Sequence, residues 1–252
     1  MRLFNVNVTF LDYGGLIQSI PRIWRNCLNN DIDVDQPPAI NSVMTREKAG
    51  KYMYSMIIGS LEARTVHEIK WDNNLNIIIS RSEWREIYCV GHSCTEDCCL
   101  RSFHLKGVHR LLVTNKTLFT WGIKNSPICT FCHAEEESIC HLFYACNITA
   151  NLWRSLAYWL NPTLQINEYF NIKNMCCGVI GNVENKCLLN IIILLFKRYI
   201  YVTRCNSGNI SLMSLLHFIK YYYTIEINAL SMIRREAILK KWGAVGNMLA
   251  RI

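Results

Sequence analysis

The chain has 252 residues, with 27 Lys and Arg against 19 Asp and Glu for a net charge of +8, and 51% hydrophobic residues that include seven tryptophans. That length and apolar content suit one large or two small globular bodies with a real core, and they exclude a disordered polyelectrolyte. Thirteen cysteines, odd in number and scattered, do not make the disulfide framework of a short secreted domain and fit a reducing, intracellular compartment.

Taken in order, Met1 to Val8 alternates polar and apolar residues without a long hydrophobic centre, so it does not read as a secretion signal. Phe10, Leu11, Leu16, Ile17 and Ile20 recur at helical spacing, and Pro21 opens a second short helix from Arg22 to Leu28. Asn29 to Pro38, with three aspartates and Pro37-Pro38, reads as the core of a linker lying near 29–44. A helix is expected from about Thr45 to Leu61. The pattern Trp71, Leu75, Ile78, Ile79, Trp84 and Ile87 predicts helix through about Tyr88, closing an N-terminal segment 1–90.

Thr95 is expected to cap the next helix, whose stripe Leu100, Phe103, Gly107 and Leu111 leaves Arg101 and Arg110 free to face solvent or phosphate. His92, Cys94, Cys98, His104 and His109 could in principle form a second metal site. His104 and His109 diverge by about 140° on a helix, however, so an ordinary histidine pair is favoured. A short helix or turn follows around Leu118 to Gly122, flanked by Lys116 and Lys124, which either touch a nucleic-acid backbone or form a solvated face.

The most specific signal comes next. Cys129-x-x-Cys132 and His141-x4-Cys146 place three thiols and one imidazole within eighteen residues, a donor set suited to one tetrahedral Zn²⁺ in a closed, structural site. The run Glu135 to Glu137 between the halves reads as a solvated turn, and His133 and Cys140 are spare donors. Ile148, Leu152, Leu156 and Trp159 predict a helix, ended by Pro162, that docks this loop onto the body.

These residues also carry a resemblance. Thr114-Asn115-Lys116-x-Leu118, Trp121-Gly122-Ile123, the Cys/His set, His141-Leu142-Phe143 and Trp153 resemble the zinc-binding segment downstream of the reverse transcriptase in non-LTR (LINE-type) retrotransposon proteins. Ile20-Pro21-x-x-Trp24, Lys70-Trp71, Arg101-x-Phe103-x-x-Lys106, Lys197 to Tyr201, Glu226 and Lys241-Trp242 are similar to its flanks. The resemblance implies a C-terminal region, once contiguous with a polymerase, that contributes to holding element RNA or target DNA. Its zinc-binding part spans 91–162, leaving 163–252 as a C-terminal helical segment.

That last segment carries 11 Lys and Arg against 4 Asp and Glu, nearly all of the excess charge. A helix with Leu188, Ile192, Leu195, Tyr199 and Val202 on one face sets Lys186, Asn190, Lys197 and Arg204 on the other, a basic line suited to phosphate. The run Cys187 to Phe196 is about half a membrane span and reads as a core helix. One long helix is then expected from about Ser211 to Trp242, with Glu226 inside its apolar stripe. A carboxylate there needs a cation, and Arg198 or Arg204 is the expected partner.

The expectation is a mainly α, multi-helix body with a small inserted CCHC zinc module, made of Cys129, Cys132, His141 and Cys146. It predicts a nucleic-acid-binding module, with Arg101, Arg110, Lys116, Lys124, Lys186, Lys197 and Arg204 as candidate contacts, or else a degenerate, zinc-stapled domain acting through protein contacts. Polymerase catalysis is not expected: no Asp-Asp pair, P-loop or His-Glu-x-x-His occurs. A Cys129/Cys132 redox pair is disfavoured by the preceding Asn125-Ser126-Pro127.

Overall fold

The computed structural model describes residues 64–252 except 165, 170 and 229–231. The helices and linker expected before residue 62 lie outside that range. Among the described residues the fold is all helical, with a single isolated antiparallel bridge between Ile128 and Glu136. The elements are α1 (Val66–Leu75), α2 (Arg81–Cys94), α3 (Cys98–Val108), α4 (Asn115–Thr120), a π-turn (His141–Ala145), α5 (Asn147–Leu160), a 3-10 turn (Asn167–Tyr169), α6 (Ile172–Cys177), α7 (Lys186–Cys205), α8 (Leu212–Asn228) and α9 (Met232–Ala250).

Local chemistry sets these boundaries. The helical pattern expected from Trp71 to Tyr88 is two helices, because Asn76 turns left-handed (φ 52°) and Ser80 starts a new one with a reciprocal capping box. The Ser80 hydroxyl accepts from the Glu83 amide at 3.2 Å, and the Glu83 carboxylate accepts from the Ser80 amide at 2.8 Å. Asp97, not Thr95, caps α3, accepting from the Cys99 and Leu100 amides at 2.7 and 3.1 Å. Thr95 instead accepts from the Asp97 amide at 3.1 Å and so holds the cap in place.

Helix α7 is the centre of the fold. It packs on α2, α3, α8 and the π-turn, and Leu189 and every residue from Ile191 to Phe196 are 1% exposed or less. Each such Leu or Ile contributes on the order of 1.5–3 kcal/mol by leaving water. The face expected to be a solvated basic line is buried too: Asn190, Lys197 and Arg204 are 1%, 4% and 7% exposed. Asn190 and Lys197 lie inward because α6 and the segment after it offer backbone partners on that face. The Asn190 amide group donates to Val179 O at 2.9 Å and accepts from Val179 N at 2.8 Å, and Lys197 Nζ donates to Cys176 O at 3.3 Å. Periodicity separates polar from apolar, but it does not separate solvated polar groups from satisfied ones.

The long helix expected over Ser211 to Trp242 is a pair, α8 and α9, packed antiparallel so that Tyr223 meets Trp242 with ring centroids 5.2 Å apart. Gly246 makes that approach possible, since a Cβ there would sit 2.7 Å from Tyr223 Oη. The fold-back also corrects the partner of Glu226. Its carboxylate pairs with Lys241 at 2.5 Å, accepts from Trp242 Nε1 at 2.8 Å and from Thr95 Oγ1 at 3.2 Å. Arg198 lies over the Phe103 ring at 5.3 Å, and Arg204 is engaged elsewhere, so neither pairs with Glu226. A straight helix would have kept Lys241 about four turns away; only the reversal brings it back.

No described helix is long and apolar enough to cross a membrane.

Candidate metal centre

The centre is built from a short hairpin and a π-turn. In the hairpin, the Cys129 amide donates to Glu135 O at 2.8 Å and the Glu137 amide donates to Pro127 O at 2.9 Å. The Cys129 to Cys132 turn sits between them. The Cys129 carbonyl accepts from the His133 amide at 3.1 Å, and His133 takes a left-handed conformation (φ 53°) to close the tip. The Phe131 amide approaches the Cys129 sulfur at 3.5 Å, an orientation that favours a thiolate.

The π-turn answers why a His-x4-Cys spacing works. On an α-helix, residues five apart point about 140° away from each other. Here the Cys146 amide donates to His141 O at 2.8 Å, an i to i+5 bond that widens the turn and brings both side chains to one place. Cys146 then takes an extended conformation and starts α5, where the Thr149 hydroxyl donates to its carbonyl at 3.1 Å. Leu152, Trp153, Leu156, Ala157 and Leu160 of α5 are buried, which docks the turn on the body; Trp153 meets Phe196 of α7 edge-on at 4.9 Å.

The four donor atoms, Sγ of Cys129, Cys132 and Cys146 and a ring nitrogen of His141, all lie within 4.8 Å of one another. Cys129 Sγ is 4.0 Å from Cys146 Sγ, and Cys132 Sγ is 3.4 Å from His141 Nε2. Tetrahedral ligands with metal–sulfur bonds of about 2.3 Å stand roughly 3.8 Å apart, so the set fits one ion of that size. The hydrogen bond from Cys129 pushes the Cys146 thiol down to about 5 and holds Cys129 correspondingly high, a crowding that a shared cation would relieve. His141 Nδ1 lies 3.1 Å from the Glu135 carboxylate, which leaves Nε2 as the ligating nitrogen.

The spare donors turn elsewhere. Cys140 hydrogen-bonds with Cys176 of α6, which brings its thiol down to about 7, and His133 is exposed at the hairpin tip outside the cluster. The second histidine group does not assemble with its cysteines: His104 Nε2 meets Ile87 O at 2.7 Å, and His109 stacks on Tyr88.

The acidic run, expected from sequence to be a solvated turn, is not uniformly solvated. Glu137 is fully buried. Its Oε1 accepts from the Asn115 amide at 2.8 Å and faces Arg204 Nε at 2.7 Å, while Oε2 accepts from the Thr130 amide at 3.1 Å. Asn115 completes the web: Nδ2 donates to Ile128 O at 2.7 Å, and Oδ1 accepts from Arg204 Nη2 at 2.9 Å and Lys124 Nζ at 2.8 Å. The hairpin is thereby tied to α4 and α7 by groups that sequence reasoning assigned to solvent or to phosphate. Glu137 and Asn115 were missed because nothing local to them separates an inward carboxylate or amide from an outward one.

The remaining candidate cations are dispersed. Arg101 donates to Thr95 O at 2.6 Å and pairs with Glu96 at 2.7 Å; Arg110 lies 4.4 Å from the Trp71 ring and donates to Asn74 Oδ1 at 2.6 Å. Lys116 pairs with Glu136 at 2.6 Å and Lys186 with Glu86 at 3.1 Å. Lys197 and Arg204 are removed from the candidate contacts by burial.

Among curated proteins none matches the sequence. Residues 92–153 match the family described as zinc-binding in reverse transcriptase. The match begins in α2, takes in α3, α4 and the hairpin, and ends at Trp153, so it covers all four converging donors. Residues 92–153 therefore match a zinc-binding segment of the reverse-transcriptase type, and within them four donors converge in a Cys₃His set that could hold one metal ion.

Proposed function

We propose that the chain is a nucleic-acid-binding module from a LINE-type retroelement protein, intracellular and without polymerase or endonuclease activity of its own. In this reading Zn²⁺ is the resident ion, held by Cys129, Cys132 and Cys146 Sγ and by His141 Nε2. Three thiolates and one imidazole suit zinc better than the oxygen-seeking Mg²⁺ or Ca²⁺. The observation that carries the reading is the closed donor set inside a segment of reverse-transcriptase type: four protein ligands leave no open position for a substrate or an activated water. When bound, the ion cross-links the hairpin to the π-turn, and this chain's residues do the rest. Glu135 lies 3.1 Å from Nδ1 of the imidazole, and Glu137 anchors the hairpin to Arg204. The net charge of +8 would draw phosphate, RNA or DNA.

A second reading is an inert zinc-stapled body with protein partners. What favours it is that most candidate cations are paired or buried. Electrophoretic mobility shifts of metal-loaded protein at 50 and 200 mM salt separate the two. Micromolar binding that weakens steeply with salt supports the first; no shift at low salt supports the second.

A further inference from the structure

The aromatics beside the metal ligands that could have met bases are not free to do so: Phe143 is buried, and Phe131 and Tyr144 pack against the core. A different set is free. Phe119, Trp121 and Ile123 stand within five residues and are 47%, 60% and 67% exposed. Single exposed apolar residues need no explanation, but three together beside a metal module do. Trp71, Trp84, Trp153 and Trp242 are all 2% exposed or less, so Trp121 is unusual among the described tryptophans.

The stretch is held firmly. Trp121 closes α4; Gly122 turns left-handed (φ 70°) and donates to Phe119 O at 3.0 Å, and the Ile123 amide donates to Leu118 O at 2.9 Å. Trp121 is thus presented by a fixed helix end, which lowers the ordering cost of stacking something on it.

The charge around it is also particular. Each carboxylate of the neighbouring acidic run already faces a partner: Glu135 the His141 ring, Glu136 Lys116, Glu137 Arg204. Lys124, three residues from Trp121, is exposed, and among the described residues it bonds the neutral amide of Asn115 at 2.8 Å and faces no carboxylate. Lys124 lines an open cleft of about 570 Å³ together with Asn125, Ser126 and His133 but also with Ile128 and the metal ligand Cys129; Trp121 lies outside its wall. A cation three residues from an exposed indole suits a phosphodiester strand with a base laid on the ring.

We propose that Trp121 is a stacking platform for an unpaired nucleobase, with Lys124 and its cleft receiving the adjoining phosphate, so that the module prefers single-stranded nucleic acid. This rests on the nucleic-acid reading above and specifies its partner. A duplex keeps its bases stacked inside and cannot use the platform.

The test uses the full metal-loaded chain with fluorescein-labelled 12-mer oligouridylate, 12-mer oligothymidylate and a 12-base-pair DNA duplex. Binding is followed by anisotropy, with intrinsic tryptophan fluorescence read in parallel. W121A should weaken single-strand binding by about tenfold, the order expected of one stacked base, and leave duplex binding within twofold. A base stacked on Trp121 should quench part of the tryptophan fluorescence when single strands bind, and W121F, which keeps a flat ring, should retain most of the affinity while removing that quenching. K124A should weaken binding and flatten its salt dependence. Circular dichroism of each variant controls for folding, and the W121F result stands even where W121A is poorly folded.

Wild-type binding to single strands that W121A leaves unchanged, or whose tryptophan quenching W121F leaves unchanged, overturns the platform and leaves the nucleic-acid reading intact. Failure of the wild type to bind any of the probes at low salt overturns both. Self-association of the wild type that W121A abolishes, with no effect on oligonucleotides, assigns the surface to protein and overturns the proposal.

Discussion

Replacing Glu137 by Gln should destabilise the metal-loaded protein far more than any change on the neighbouring exposed glutamates. The carboxylate is fully buried, and Arg204 opposite it is 7% exposed. Gln keeps the shape and can still accept from the Asn115 amide through its carbonyl. Its NH₂ group, however, then faces the Thr130 amide, donor against donor, where Oε2 now accepts at 3.1 Å. Arg204 also keeps its charge with no counter-charge, because its other partners, Val113 O and Asn115 Oδ1, are neutral. Removing one member of a buried pair costs on the order of 3–5 kcal/mol. For a body of this size that corresponds to roughly 2–4 °C per kcal/mol, so Tm should fall by at least about 6 °C. E136Q, whose pair with Lys116 is half exposed, should move Tm by less than about 2 °C. In a double-mutant cycle with Arg204→Met, the two losses should be strongly non-additive, because each single variant strands the other partner. Thermal unfolding followed by circular dichroism at pH 7 reads all four proteins. An E137Q variant melting within 2 °C of wild type would refute the claim that this pair ties the hairpin to α7.

Two further outcomes follow from buried groups. His104 is 2% exposed, and burial with Lys197 nearby holds its ring down at about 4. The unfolded chain therefore takes up a proton near pH 6.5 that the folded one refuses. Stability is full above that pH and falls as pH drops from 6.5 towards 4, by up to about 3 kcal/mol. Urea titrations at pH 7.0 and 5.5 should show a smaller loss for His104→Gln than for wild type, and equal losses contradict the assignment. Glu226→Ala strands Lys241 and the Trp242 indole N–H and should cost about 2–4 kcal/mol, whereas Arg198→Ala should cost under about 1 kcal/mol. The reverse order in urea midpoints would restore Arg198 as the partner.

What was legible in the sequence was whatever spacing alone decides. The two ligand pairs, the amphipathic α5 and the Cys187 to Phe196 run, buried from Leu188 on, are set by residue type and period, and the structure places them accordingly. What stayed hidden depends on which distant segment arrives beside a residue. Asn190, Lys197 and Arg204 read as a solvated line because their partners, Val179 O, Cys176 O and Glu137, lie 11 to 67 positions away. Glu226 found Lys241 only because α8 and α9 fold back on each other, and the sequence between them holds no strong breaker. The π-turn was likewise invisible: the sequence shows a His-x4-Cys spacing but not the widened hydrogen bond that lets it converge.

We propose that Cys129, Cys132, His141 and Cys146 together hold one zinc ion between the hairpin and the π-turn. Metal analysis of the purified chain with X-ray absorption at the zinc edge tests it most directly. One zinc per chain, with three sulfur neighbours near 2.3 Å and one nitrogen near 2.0 Å, is the expected result, and Cys129→Ser should lose the metal and the folding of the hairpin with it. A purified chain with no stoichiometric metal, or with zinc retained in full by Cys129→Ser and by His141→Ala, would contradict the account.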